Sequence, residues 1–287
     1  MPIRSCVTAV IVTYQSASEI GACLQSLTEN ATGWIAECRI VDNNSQDGSA
    51  DAAERSYPGA AVIRNPENLG FSKAVNSGAR NTTTEYLLIL NPDAVLKSDA
   101  LSELVHFLDS RKEAAACGPK MLGPNGEFQS VCRRSFPTPW NTLGYYLGLN
   151  RIFPRSRRWA SYKPETVSPD FESRVDVLSG ACMLIRREDF QTVGGFDEDY
   201  FLFGEDIDIC WKLHQAGREL WYVPAAEVVH AKGASMKHAL KRAKREFYHS
   251  MLIYIEKRLS HDYASFACFL MKTGVRFRRM LGFLPGL

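Results

Sequence analysis

The amino-acid sequence points to an α/β domain built on a mainly parallel sheet with helices on both faces, and three observations carry that reading. Short apolar runs such as "VTAVIVTY" at 7–14 lack the polar–apolar alternation of half-exposed strands, as expected of strands buried on both sides. Helical stretches separate these runs through the first 120 residues, and such alternation favours parallel pairing with crossover helices. Three successive runs end in polar turns: Asp42-Asn43-Asn44, Arg64-Asn65-Pro66-Glu67-Asn68 and Asn91-Pro92-Asp93. In open parallel sheets ligands bind outside the carboxyl ends of the strands, so the three tips belong on one rim.

The elements follow in order. After the first strand, Ile20, Leu24 and Leu27 fall at helical spacing in "SASEIGACLQSLTEN", with Ser16 or Ser18 available as an N-cap. "CRIVDNNS" reads as a strand, "DGSADAAERSY" as a helix and "AAVIRN" as a strand; "GFSKAVNSGARN" is a helix and "EYLLILN" a strand. "DALSELVHFLDSRK" is a helix, and "AAACGPK" is a fifth strand. Beyond residue 122 the pattern changes. "GPNGEF" is a turn, and 133–170 is rich in aromatic residues, Arg and Pro without clear periodicity, as in a mobile or acceptor-facing loop. "VDVLSGACMLIRRE" returns as a strand. A helix follows whose first turn holds Glu205, Asp206 and Asp208, then the strand "RELWYVPAAEVVH" and a long basic helix over 235–259. Neither internal repeats nor low-complexity segments stand out.

Composition narrows the class. The chain has 287 residues, 45% hydrophobic and 23% charged, ordinary values for a folded protein with a real core. Eight cysteines form no CxxC pair and sit mostly in apolar runs, which reads as buried thiols in a reducing compartment rather than zinc or redox motifs. The N-terminal apolar run lacks the basic region and cleavage site of a signal peptide, and no eighteen apolar residues run uninterrupted. These features place the protein in the cytoplasm. Net charge is +2, but from Lys232 onward twelve Lys/Arg stand against three Asp/Glu, leaving 22 against 29 before it. Such asymmetry suits a tail that meets an anionic partner.

Each polar feature has a plain structural reading beside a functional one. Gly70 stands at a strand-to-helix turn where backbone can approach a ligand; with Asn68 and Asn76 it is a candidate sugar-nucleotide contact. Lys73 is either a further contact or solvated surface. Neither a Walker loop nor GxGxxG is present, which disfavours an NTPase or a Rossmann cofactor site. Asp42 either caps the next helix or offers a carboxylate to a ligand. Acids at the first turn of a helix complement its dipole, yet a crowded trio also raises its own proton affinity. His230 is either a structural histidine or a ligand.

Taken in order, "VIVTY", "VDNNSQDGS", "NPENLGFSKAVNSGAR", "LLILNPDA", "LSGACMLIRRE", "GFDEDYFLFGEDIDICWK" and "HAKGAS" resemble the inverting glycosyltransferases of family 2, and more narrowly their bacterial rhamnosyltransferase-type members, over roughly 7–235. The resemblance implies the GT-A (nucleotide-diphospho-sugar transferase) fold. It implies a catalytic domain over 1–234, with a nucleotide-binding half at 1–120 and an acceptor-binding half at 121–234, and a basic helical extension at 235–287. It implies that Asp42 holds a pyrimidine base, with Thr13, Tyr14 and Asn44 beside it, and that Asn91 faces the sugar. Asp93 stands where many members carry the second acid of Asp-x-Asp, so Asp93 and His230 would hold Mg²⁺ or Mn²⁺. Ser235 would meet a phosphate. Asp206 would be the base, with Glu205 the close alternative and Asp208 structural. The implied donor is dTDP-rhamnose, with UDP-galactose, UDP-N-acetylglucosamine or UDP-galactofuranose as alternatives, and the implied acceptor a cell-surface or polyprenyl-diphosphate-linked glycan.

The tail has two readings, a peripheral anchor on anionic lipid at the inner face of the cell membrane or a helix packed on the catalytic domain with a homodimer contact. No motif supports nucleic-acid binding. Two rival functions remain, a nucleotidyltransferase, which would need a Gly-rich basic loop where "VTYQSASE" stands, and a non-catalytic sugar-nucleotide-binding protein.

Overall fold

The computed structural model describes residues 4–146, 152, 153, 156, 168–231, 240–260 and 263–281. Its centre is a nine-stranded sheet in the order β3-β2-β1-β4-β10-β6-β11-β5, with β8 paired to β11. β1 (Val7–Thr13) lies between β2 (Ile35–Asp42) and β4 (Tyr86–Leu90), and β3 (Ala61–Arg64) extends the sheet beyond β2, all parallel. All seven residues of β1 are buried, and their side chains alternate between two cores. Val7, Ala9 and Ile11 pack on one face with Leu24 of α1 (Ile20–Asn30), Ala53 of α2 (Ser49–Ser56) and Leu104 of α4 (Ala100–Ser110). Val10 and Val12 pack on the other with Val75 of α3 (Phe71–Ala79) and Leu213 of α7 (Glu205–Gln215). The uninterrupted apolar run is thus the mark of a sheet covered on both sides.

The second half departs from simple parallel winding. β10 (Cys182–Arg186) inserts antiparallel between β4 and β6 (Ala114–Leu122). β11 (Glu219–His230) then pairs parallel to β6, while β5 (Ala94–Leu96) and β8 (Ser173–Arg174) pair antiparallel to it. Six of the nine strands therefore run one way, and the sheet is continuous across the division expected at 120/121, which falls inside β6. A separate ribbon joins β7 (Arg133–Arg134) to β9 (Val177–Leu178). Neither β5 nor the short helix α6 (Arg187–Thr192) was expected, and neither Ser16 nor Ser18 caps α1, whose N-cap is Glu19 without a side-chain bond. Instead the Ser16 carbonyl accepts from the Glu19 and Ile20 amides. All eight cysteines are buried and free, as expected of small apolar side chains.

Helix α5 (Pro139–Tyr146) falls in the Arg- and Pro-rich stretch. The boundary expected at 234/235, Ser235 and Lys237 lie outside the described residues. The basic helix is α8 (Leu240–Tyr254), continued by a π-helical turn at Ile255–Leu259 and followed by α9 (Ser265–Leu281). This pair has its own small core of Tyr248, Tyr254, Ile255, Leu259, Cys268 and Val275. It is also fastened to the sheet domain. Arg258 Nε donates to Asp208 at 2.7 Å, Lys257 reaches Asp197 and Asp199 at 2.6 Å, and Ser250 Oγ donates to the Leu202 carbonyl at 2.9 Å. The packing expectation for the tail is met by α8. Among the described residues, no helix is long and apolar enough to cross a membrane.

Candidate active site

Because β1 to β4 are parallel, their carboxyl ends bring Thr13, Asp42, Asn65 and Asn91 to one rim. Asp42 is buried there. One carboxylate oxygen accepts from Thr13 Oγ1 at 2.8 Å and the other from the Ser45 amide at 2.9 Å. It therefore orders the turn after β2, whereas the start of α2 is served by Asp47, which accepts from the Ser49 amide at 3.0 Å. A carboxylate has about four acceptor positions, so both oxygens retain room for a ligand's N–H. Tyr14 is half-buried beside this turn, and exposed Asn44 adopts a left-handed φ of 62°.

The next motif is used differently from the expectation. Asn68 Oδ1 accepts from the Gly70 amide at 3.0 Å, which shapes the turn into α3. Gly70 has φ +87°, and a Cβ there would lie 2.6 Å from the Phe201 carbonyl oxygen. The close approach that requires glycine is thus to the chain's own 201 segment, whose carbonyl accepts from the Phe71 amide at 2.8 Å. Asn76 bonds Phe196 in both directions at 2.9 Å and reaches Glu198 at 3.1 Å. Its amide holds the 196–198 loop. Lys73 is exposed on α3, as in the solvated reading.

Asn91 and Asp93, by contrast, meet residues from far along the chain. Because β5 pairs with the end of β11, His230 Nε2 comes within 3.2 Å of Asp93 Oδ1, both side chains being largely buried. On its other side His230 Nδ1 faces Gln129 Oε1 at 3.4 Å, and Gln129 Nε2 donates to the His230 carbonyl at 2.8 Å. Nε2 can donate to the Asp93 carboxylate or, with Nδ1–H directed at Gln129, present a lone pair beside it that a cation could share. Donor atoms 3.2 Å apart can share one divalent ion at about 2.1 Å from each. No group of three or more His, Cys, Asp or Glu side chains that could hold a metal ion occurs among the described residues.

The acidic helix start faces this rim. Phe203 and Gly204 both have positive φ, 68° and 79°, and this turn aims the first residues of α7 into a cavity of about 410 Å³. Its lining includes Asn91, Arg134, His230, Glu205 and Asp206, with Thr142, Ser179 and Ser250 as further polar residues. Asp206 Oδ2 is ion-paired with Arg134, carried there by β7, and its Oδ1 accepts from the Ile207 amide at 2.8 Å. Glu205 Oε2 is buried without a hydrogen-bond partner among the described residues. Burial, and then the neighbouring Asp206, pushes the Glu205 carboxyl up to about 8. Asp208 is wholly buried, paired with Arg258, and is not among the residues lining the cavity. Arg134 and Gln129 were missed because they lie in a stretch without periodicity and act on partners 72 and 101 residues away.

The raised proton affinity of Glu205 has a sign. Between the ordinary carboxyl range and about 8, the folded protein holds a proton that the unfolded chain has released. Stability therefore falls as pH rises through that window. Glu205→Gln removes the titration; calorimetry should show the melting temperature raised by a few degrees at about pH 8 and nearly unchanged at about pH 4.

The family model described as glycosyltransferase-like family 2 matches residues 4–249. The chain belongs to this family. An N-acetylglucosaminyl-diphospho-decaprenol L-rhamnosyltransferase of Mycobacterium tuberculosis is 32% identical over 237 residues, covering 79% of this chain and 76% of that protein. The rhamnosyltransferase WbbL of Escherichia coli K12 is 30% identical over 181 residues, covering 62% and 64%. Among solved structures, the mannosyltransferase PcManGT of Pyrobaculum calidifontis, in complex with GDP-Man and Mn²⁺, superposes with a TM-score of 0.61 at 20% identity, covering 97% of this chain and 70% of that one. S. aureus TarS 1–349 with UDP-GlcNAc gives 0.60 at 18%, covering 97% and 73%. At these identities the structures establish the fold, a GT-A arrangement. Of the strand-tip residues, Asn91 lines the same cavity as His230, Glu205 and Asp206.

Proposed function

We propose that this glycosyltransferase moves rhamnose from dTDP-rhamnose, with inversion, to a hydroxyl of a polyprenyl-diphosphate-linked or cell-surface glycan. The single observation that carries the reading is the convergence of the β4 tip and His230 with Glu205 and Asp206 around one cavity. Rhamnose and the lipid-linked acceptor are carried over from the rhamnosyltransferase relatives.

In this reading Asp42 and Thr13 hold the pyrimidine base at the tips of β1 and β2, with Tyr14 beside them. Asn91 orients the sugar. Asp93 and His230 hold Mg²⁺ or Mn²⁺, which when bound neutralises charge on the diphosphate leaving group. Burial gives Glu205 a raised proton affinity, while the Asp206 side chain is ion-paired with Arg134. Asp206 takes the acceptor hydroxyl's proton as that oxygen attacks the anomeric carbon opposite the diphosphate. The carbon–oxygen bond to the diphosphate breaks, and the nucleoside diphosphate leaves.

Thermal shift with dTDP-rhamnose, UDP-galactose and UDP-N-acetylglucosamine, with and without Mn²⁺, tests the donor. dTDP-rhamnose should raise the melting temperature in a metal-dependent way, since a ligand of the native state stabilises it. Asp93→Ala should abolish the metal dependence. No shift with any pyrimidine nucleotide, from folded protein, would sink the reading.

A further inference from the structure

Helix α9 has two apolar faces and only one of them is covered. Cys268 and Val275 are buried against α8, and Met271 lines the active-site cavity. On the outside Phe266, Phe269, Leu270, Phe277 and Met280 are between 53% (Leu270) and 84% (Met280) exposed. Their spacing of three, one, seven and three residues keeps them on one side of a helix. Single exposed apolar residues need no explanation, but five on one helix face, three of them phenylalanines, form a patch of the kind that marks an interaction surface. The helix carries four basic residues, Lys272, Arg276, Arg278 and Arg279, and no acidic one. Arg276 and Arg279 are exposed in the same turns as Phe277 and Met280.

We propose that the outer face of α9 docks this protein on an anionic lipid bilayer, the helix lying in the headgroup plane with its phenylalanines inserted and its arginines on lipid phosphates. The charge decides between occupants. A second copy joined by a two-fold axis would set Arg276 and Arg279 of one α9 against those of the other, with no acid on either helix to offset them. Anionic headgroups complement the same pattern, and apolar insertion adds to electrostatic attraction. The geometry also links docking to catalysis: α9 supplies Met271, α8 supplies Phe247 and Met251, and the π-helical turn supplies Ile255 to the cavity that holds Glu205 and Asp206. That link rests on the proposed transfer to a lipid-linked acceptor; the docking itself does not.

The test uses the full chain without donor or acceptor, so its result is independent of whether glycosyl transfer is observed. Flotation with phosphatidylglycerol-containing vesicles and with pure phosphatidylcholine vesicles is compared at low and high salt, alongside sedimentation velocity in solution. The wild type should float with the anionic vesicles, less so at high salt. Phe269→Ser/Phe277→Ser and, separately, Arg276→Glu/Arg279→Glu should each weaken binding roughly tenfold or more. Both pairs are exposed, so an unchanged melting temperature confirms folding. Absence of vesicle binding by the wild type, binding undiminished in both variants, or a wild-type dimer that Phe269→Ser/Phe277→Ser dissociates would each overturn the proposal.

Discussion

Asp206→Asn should slow glycosyl transfer by about a thousandfold while leaving donor binding within about twofold of wild type, because a positioned general base contributes roughly 10²–10⁴. The substitution preserves shape, but its single amide oxygen can serve either Arg134, now met at Oδ2, or the Ile207 amide, now met at Oδ1, and the charge beside Arg134 is lost together with the capacity to take a proton. Glu205→Gln is the informative partner. If Glu205 serves by remaining protonated, its amide replaces it with a small loss, and the alkaline side of the pH–rate profile moves upward because the titrating neighbour is gone. A large loss in Glu205→Gln with activity retained in Asp206→Asn would instead make Glu205 the base. The readouts are kcat and KM for the donor over a pH series, with thermal shift to confirm binding. Arg134→Met should lower kcat more than it raises donor KM, since it touches Asp206 across the cavity from the β1–β4 tips.

What the sequence discloses about this site depends on how local each signal is. β1 and β4 were readable because every residue in them is buried, so apolar runs translate directly into strands. The rim followed from parallel pairing alone. β10 was readable as a strand but its direction was not, since entering antiparallel between β4 and β6 is decided by where 123–181 carries the chain. Asp206 and Glu205 stood out as acids at a helix start, but the burial that raises Glu205 and the pairing of Asp206 with Arg134, 72 residues earlier, are set by the tertiary fold. Asn76 and Gly70 carry a use that the Gly- and Asn-rich motif does not disclose: both meet the 196–201 loop that packs on α3. A polar residue beside a binding rim can serve the rim's scaffold, and only the partner's position distinguishes the two.

That scaffold carries the second large effect. Asp208 sits in the first turn of α7, wholly buried, with Arg258 Nε at 2.7 Å and Lys212 at 3.9 Å. The Arg258 guanidinium also stacks 4.5 Å from the Trp211 ring centre. Arg258→Met leaves the carboxylate in a nonpolar setting with one distant cation, and breaking a buried pair from one side costs about 3–5 kcal/mol. Lys212 offsets part of this, so the lower end is expected, read as a lower denaturant midpoint with unchanged m-value. Asp208→Asn in the same chain should recover most of the loss, because the penalty comes from the stranded charge more than from the missing contact. Activity should follow the same order. Arg258 belongs to the C-terminal pair and Asp208 to the helix that presents Glu205 and Asp206, so the single variant loosens the base relative to the donor rim and the double variant restores it. If the double variant regains stability without activity, Arg258 is needed to set the angle of α7 as well as to neutralise Asp208.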